Sequence, residues 1–282
     1  MVAQILDVDK PFRLGIALSP GPTSFAPLLF AGRLEAGVRA AVQFGFHAVE
    51  LSLRRPEDVQ PDALAALLSD NGLSLSAIAT GQSCLHDALC LSDAKPDVRA
   101  ATVERLRGMI QLAARFDAHV IIGGIRGRLP GTADEQQSRR AAAAEAIREC
   151  ARFAAHHGVT LLVEPINRYE TNFVNTVAEG LALLDEIGEA SAKLLPDTFH
   201  MNIEEADMAA ALQAAGDRLG CFHVADSNRQ APGQGHIDFP NLLQTLAQIG
   251  YRGYVTAEIL PLPDDSTAMQ RAGEFLDQLV GH

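Results

Sequence analysis

The sequence predicts an α/β fold, a closed (β/α)₈ or TIM barrel in which residues 1–282 form a single domain. Three observations carry that expectation. Short β-branched or apolar runs alternate with longer segments of helical spacing from one end of the chain to the other, and eight such cycles can be counted. Crossover helices return each strand to the same end of the sheet, which favours parallel strands closed into a barrel. The open doubly wound alternative normally shows a glycine-rich phosphate fingerprint after its first strand, and Leu18-Ser19-Pro20-Gly21-Pro22 lacks the GxGxxG order.

Taken in order, the strands are read at Arg13–Leu18, His47–Leu51, Leu75–Ala79, His119–Ile122, Thr160–Glu164, Lys193–Asp197, Gly220–Val224 and Tyr254–Glu258. The segments between them read as helices; Ser138–His157, for example, places Ala, Ile and Phe at three- and four-residue spacing. Gly45, Gly72, Gly158 and Gly250 stand where a helix gives way to the next strand, a position that favours a left-handed residue. The longer loops, Pro20–Pro27, Gly81–Pro96 and Ile125–Glu135, all follow strands and therefore share the face on which barrel active sites are built.

Composition bounds the function. The chain is 48% hydrophobic and 21% charged, the balance of a soluble globular protein. Apolar runs such as Val120-Ile121-Ile122 are a few residues long, against about 20 for a membrane-spanning helix. Met1 to Lys10 mixes Asp7, Asp9 and Lys10 into its apolar residues, unlike a secretory signal, so a cytoplasmic location is expected. Cys84, Cys90, Cys150 and Cys221 form no CxxC pair and read as free, mostly buried thiols. A net charge of −12 disfavours nucleic acid and anionic membrane surfaces as partners.

Four strands end on residue types that ligate metals: Glu164, Asp197, His223 and Glu258. A lone acid at a strand end is ordinarily a solvated or helix-capping group. Four in succession converge on one barrel mouth, where three carboxylates would repel one another by several kcal/mol unless a cation neutralised them. Three oxygens and one imidazole suit Mn²⁺, with Mg²⁺ or Co²⁺ as alternatives and Zn²⁺ less favoured.

The motifs here resemble the D-tagatose 3-epimerase-like branch of the xylose isomerase-like barrel superfamily. The resemblance rests on Glu164-Pro-Ile-Asn-Arg-Tyr-Glu170-Thr-Asn-Phe-Val-Asn-Thr176, Asp197-Thr-Phe-His200-Met-Asn-Ile-Glu-Glu205, His223-Val-Ala-Asp-Ser-Asn-Arg229, Pro232-Gly-Gln-Gly-His-Ile-Asp-Phe239 and Ala257-Glu258. It covers the C-terminal half in detail and the N-terminal half only as a barrel. It implies that Glu164, Asp197, His223 and Glu258 hold the metal, that Glu164 and Glu258 also act as acid and base, and that Glu170, His200 and Arg229 hold a small keto-sugar. A homodimer or homotetramer is implied as well.

Chemistry supplies a separate reason for two carboxylates. Inverting a stereocentre beside a ketone takes a proton from one face and returns one to the other, through a cis-enediolate, and two opposed bases do this better than one. Glu258 is assigned the deprotonation and Glu164 the return. Aldose-ketose or hydroxypyruvate-type isomerisation through the same enediolate is the nearest alternative. An endonuclease IV-like phosphodiesterase would need further His and Asp ligands and a basic groove, and a sugar-binding barrel without catalysis would not need both acids. Among other residues, His86, His119, His156 and His157 read as surface or core histidines. Glu50 lies near the end of the second strand, within approach of the site; His236 sits in a glycine-rich loop where positioning competes with chemistry. Gly123-Gly124-Ile-Arg-Gly127 reads as a tight turn, and substrate walls are expected to be Phe, Leu and Ile.

Overall fold

In the computed structural model, residues 12–24 and 27–280 are described. The Met1–Lys10 segment, and part of the Pro20–Pro27 loop, lie outside the described residues. Eight parallel strands form the sheet: β1 (Arg13–Leu18), β2 (Ala48–Ser52), β3 (Ser74–Ala79), β4 (His119–Ile122), β5 (Leu161–Val163), β6 (Ala192–Leu194), β7 (Phe222–Val224) and β8 (Tyr254–Ala257). Ten α-helices follow or flank them among the described residues: α1 (Leu34–Gln43), α2 (Pro61–Asp70), α3 (Gly81–Asp87), α4 (Pro96–Ala114), α5 (Ala133–His156), α6 (Val177–Ile187), α7 (Thr198–Glu204), α8 (Met208–Ala215), α9 (Phe239–Gln248) and α10 (Asp265–Val280). None is long and apolar enough to cross a membrane.

The strand order is β6-β5-β4-β3-β2-β1-β8-β7, and parallel bridges at Leu194–Leu219 and Asp197–His223 join β6 to β7 and close the barrel. Both faces of each strand are covered, which is why the strands read as apolar runs and not as alternating ones. Burying a Leu or Ile such as Leu14, Ile16 or Leu18 contributes about 1.5–3 kcal/mol each. A hidden alternation is nevertheless present. Ala48, Ala77, Ile121, Leu162, Leu195, Cys221 and Tyr254 pack as a small cluster apart from the main core, whereas Val49, Val120, Leu161, Leu194, Phe222 and Val255 belong to the larger core shared with the helices. The small cluster is the filling of the barrel, and successive inward positions are two residues apart.

Several expected boundaries shift for identifiable reasons. The strand expected at Lys193–Asp197 is laddered only over Ala192–Leu194, because Pro196 has no N–H to donate. The strands expected to end on Glu164 and Glu258 stop one residue earlier. The helix expected from Ser138 begins at Ala133, where Thr132 and Glu135 form a reciprocal capping box. Part of the Gly81–Pro96 loop is helical, as α3. Gly45, Gly72, Gly158 and Gly250 all have positive φ, as their positions required. All four cysteines are free, but only Cys150 and Cys221 are buried; Cys84 and Cys90 are half-buried.

Candidate metal centre

Moving two residues along each strand from the barrel filling leads to the site. Ala48 is followed by Glu50, Leu162 by Glu164, Leu195 by Asp197 and Cys221 by His223, while Tyr254 leads through Thr256 to Glu258. The pleat therefore turns five ionisable side chains into one layer at the C-terminal mouth. Glu164, Asp197, His223 and Glu258 are all buried, and one ligand atom from each lies within 4.8 Å of the others.

Local structure holds each donor. Asp197 caps α7 by accepting the Phe199 N–H through Oδ1 at 2.7 Å, which leaves Oδ2 directed elsewhere. His223 Nε2 meets Glu50 Oε2 at 2.8 Å, so Nδ1 faces the cluster. Asp197 Oδ2 and His223 Nδ1 are buried without hydrogen-bond partners and stand 4.0 Å apart. Two unpartnered polar atoms are costly in a dry interior. Their separation is too long for a hydrogen bond and is spanned by two ligand bonds of about 2.0–2.2 Å, so this donor set fits a divalent cation.

The electrostatics agree. Burial, with Glu258 and Asp197 nearby, pushes the Glu164 carboxyl well above the usual range, and burial raises Glu258 despite the Arg229 guanidinium. Burial also opposes charge on Asp197, but His200, Arg229 and His223 outweigh it and hold that carboxyl low. At His223 burial is outweighed by Glu50, whose charge and hydrogen bond raise the imidazole to about 10. A cation on Nδ1 would take the place of that second proton.

The three residues assigned to the substrate gather around this cluster. Arg229 Nη2 donates to Glu258 Oε2 at 2.5 Å and lies 3.8 Å from Asp197 Oδ2; its guanidinium stacks over Phe199, 4.6 Å from the ring centroid. Its backbone is left-handed at φ 59, a strained conformation worth about 1–3 kcal/mol that the surroundings must offset. Buried Asp226 does so by accepting the N–H groups of Ser227, Gly233 and Ile237, which fixes the loop. His200 is buried, and burial lowers its imidazole to about 4. Asn167 Nδ2 donates to His200 Nδ1 at 2.8 Å and to Glu170 Oε1 at 2.9 Å, so the neutral ring carries its proton on Nε2, 3.7 Å from Glu164 Oε1. Glu170 is exposed at the lip, 4.0 Å from Arg229 Nη1.

Glu164, Glu170, His200, Arg229 and Glu258 line one cavity of 560 Å³ whose apolar wall is Leu85, Ile121 and Ile166. No phenylalanine is among its described lining residues, contrary to expectation; Phe199 sits behind Arg229 instead. Gly123 leaves room for the Glu164 carboxylate, since a Cβ there would stand 2.4 Å from Oε2. His236 is exposed and bonded to Ser227 Oγ at 2.9 Å, a loop-positioning contact. Sequence reasoning missed Arg126. Its guanidinium is fully buried and donates to the carbonyls of Phe173 at 2.8 and 2.9 Å and of Glu164 at 2.8 Å.

Comparison with known proteins adds an independent finding. Residues 38–279 match the model of a family described as xylose isomerase-like TIM barrel. The chain is 36% identical over 230 residues to an L-ribulose 3-epimerase of Methylomonas sp. (strain DH-1), covering 79% of this chain and 78% of that protein. It is 34% identical over 222 residues to a D-psicose 3-epimerase of Enterocloster bolteae, covering 76% and 72%. Among solved structures, a D-allulose 3-epimerase from Methylomonas sp. in complex with D-allulose superposes with a TM-score of 0.81 at 28% identity, covering 95% of this chain and 97% of that one.

Proposed function

The chain belongs to the xylose isomerase-like TIM barrel family, and from that premise we propose that it is a divalent-metal-dependent ketose 3-epimerase. It is an isomerase acting on sugars, as its relatives named 3-epimerases are. The observation that carries the reading is the convergence of four buried donors, two of them carboxylates that also open onto one cavity. Among the described residues this is the one group with metal-site geometry, which favours a single-ion isomerase over a phosphodiesterase with a metal cluster.

Glu164, Asp197, His223 and Glu258 would hold the ion, with Mn²⁺ favoured by the oxygen-rich donor set. When bound, a divalent cation supplies Lewis-acid polarisation of the ketone. Glu258, held by Arg229, takes the proton from the carbon beside the ketone, and Glu164 returns one to the opposite face. Glu258 then carries a proton and Glu164 lacks one; exchange with water resets the pair. Arg229 stays charged and donates hydrogen bonds to the enediolate oxygens. His200 offers its Nε2 proton to a substrate hydroxyl, and Glu170 accepts from another at the lip.

The reset with water makes the proposal measurable. NMR of ketopentoses and ketohexoses in D₂O with Mn²⁺ should show deuterium entering at the inverted carbon together with the epimer. Asp197→Asn and His223→Ala should lose both metal and exchange. Sugar binding without exchange in the metal-loaded protein overturns the reading. A dimer or tetramer belongs to the same proposal; a strictly monomeric sedimentation profile at micromolar concentration would remove that part alone.

A further inference from the structure

The cavity does not end at the carboxylates. It runs past Gly123 and Gly127 to an outer end formed by Arg128, Arg139, Ser92 and Asp93, from the loops after β3 and β4 and the second turn of α5. Its 560 Å³ lies within the roughly 300–1,000 Å³ of pockets that take drug-sized ligands, larger than one ketose needs.

The outer wall is rigidly built. Gly127 is at φ +93, and a Cβ there would stand 2.2 Å from Cys90 Sγ and 2.3 Å from Ser92 Oγ. Buried Ser92 donates from Oγ to the Arg128 carbonyl at 2.7 Å, and its own carbonyl accepts from Arg139 Nη1 at 3.2 Å. On the other flank Leu129 exchanges two hydrogen bonds of 2.8 Å with the Asn172 side chain. The main chain around Arg128 is thus held from both sides while its guanidinium is left over.

Arg128 is exposed where it lines this cavity. Neighbouring Arg107, Arg140 and Arg148 each meet a carboxylate within 4.0 Å, but among the described residues Arg128 and Arg139 form no ion pair. Of the acids nearby, Asp93 Oδ1 accepts the Lys95 N–H at 2.7 Å, and Glu135 closes the capping box with Thr132 and interacts with Arg139 only beyond ion-pair distance. We propose that Arg128 and Arg139 form an anion subsite, and that the preferred substrate is a keto-sugar with a carboxylate or phosphate at the end remote from the reacting carbon. Guanidinium forks suit both oxyanions. The inference rests on the epimerase reading above and adds the substrate class.

The test compares kcat/KM of the Mn²⁺-loaded protein for D-fructose, D-fructuronate and the terminal phosphate ester of D-fructose, with deuterium exchange as the readout. One or both anionic sugars should be preferred by about 10- to 100-fold, the range of a charge-assisted hydrogen bond, and the better of the two identifies the anion. The ratio of anionic to neutral kcat/KM should fall by a similar factor in Arg128→Gln/Arg139→Gln, recover in part in Arg128→Lys, and shrink as salt rises. Thermal melting of the variants separates this from unfolding. Exchange with D-fructose but a ratio near one, or a ratio that the variants leave unchanged, overturns the subsite and keeps the epimerase. No exchange with any of the three sugars overturns the epimerase reading, and the subsite with it.

Discussion

Glu50 Oε2 lies 2.8 Å from His223 Nε2, and both side chains are buried from solvent. Accepting that proton fixes the tautomer in which Nδ1 is free to ligate, as partners of metal-bound histidines do. Glu50→Leu, which removes the acceptor, should weaken divalent-metal affinity by roughly 10- to 100-fold, whereas Glu50→Gln keeps an acceptor and should lose less. Competition with a calibrated chelator measures both, with thermal melting as the control for folding. Wild-type affinity in Glu50→Leu would remove the orienting role.

Arg126 joins the loop after β4 to the loop after β5 through carbonyls alone, and one of these belongs to Glu164. Burial lowers its guanidinium to about 10, which leaves it charged at neutral pH. Arg126→Ala strands these buried carbonyls, and a stability loss of about 3 kcal/mol is expected, seen as a drop of several degrees in Tm. Arg126→Lys supplies fewer donors in the wrong geometry and should fall between the two. An unchanged Tm in Arg126→Ala would show that water replaces the side chain without cost.

The two cases differ in how far they could be read from the sequence. Strand cycles and the four candidate ligands were legible because apolar runs and strand-end acids are local patterns. Glu50 was visible as a residue near a strand end, and its register was available too: it follows Ala48 by two, as Glu164 follows Leu162 and His223 follows Cys221. That alternation was masked by apolar residues on both strand faces. Arg126 carried no such signal, since its partners are main-chain carbonyls some 40 residues further along. Asp197 was placed correctly at the mouth but not on a continuous strand, because Pro196 interrupts the ladder.

Acid sensitivity should track Asp87, at the end of α3. Arg54 Nε and Arg105 Nη1 donate to it at 2.8 and 2.9 Å, tying α3 to the loop after β2 and to α4. The Arg54 hydrogen bond, opposed by burial and assisted by Arg105, holds the Asp87 carboxyl far below the usual range. A depressed folded value means that the contribution is complete above the unfolded pKa of about 3.9 and is lost as pH falls through the folded value. Arg54 is partly exposed, so solvent and salt screen the pair. Asp87→Asn should therefore be less stable than wild type near pH 7, and the two denaturation curves should converge on acidification. A gap that persists at low pH would assign the effect to packing instead.

The two-base mechanism yields the sharpest test because Glu258 and Glu164 differ in their surroundings. Glu258 is clamped by Arg229 at 2.5 Å, whereas Glu164 faces the neutral His200 ring, with Nε2 at 3.7 Å from Oε1. Glu258→Gln keeps an oxygen ligand of similar shape and deletes the base. Metal and sugar should still bind, more weakly for the lost charge, while turnover falls by about 10²–10⁴-fold, the usual contribution of a positioned base. Glu164→Gln should depress epimerisation similarly but leave proton abstraction at Glu258 intact. Wash-out of a labelled substrate proton should then outlast formation of the epimer in Glu164→Gln and cease with it in Glu258→Gln. A single base that swings between faces predicts a different pattern, in which one of the two variants keeps near-normal epimerisation with its metal in place. That result would retire the two-base assignment and leave the metal site standing, because the donor geometry at Asp197 and His223 does not depend on which acid moves the proton.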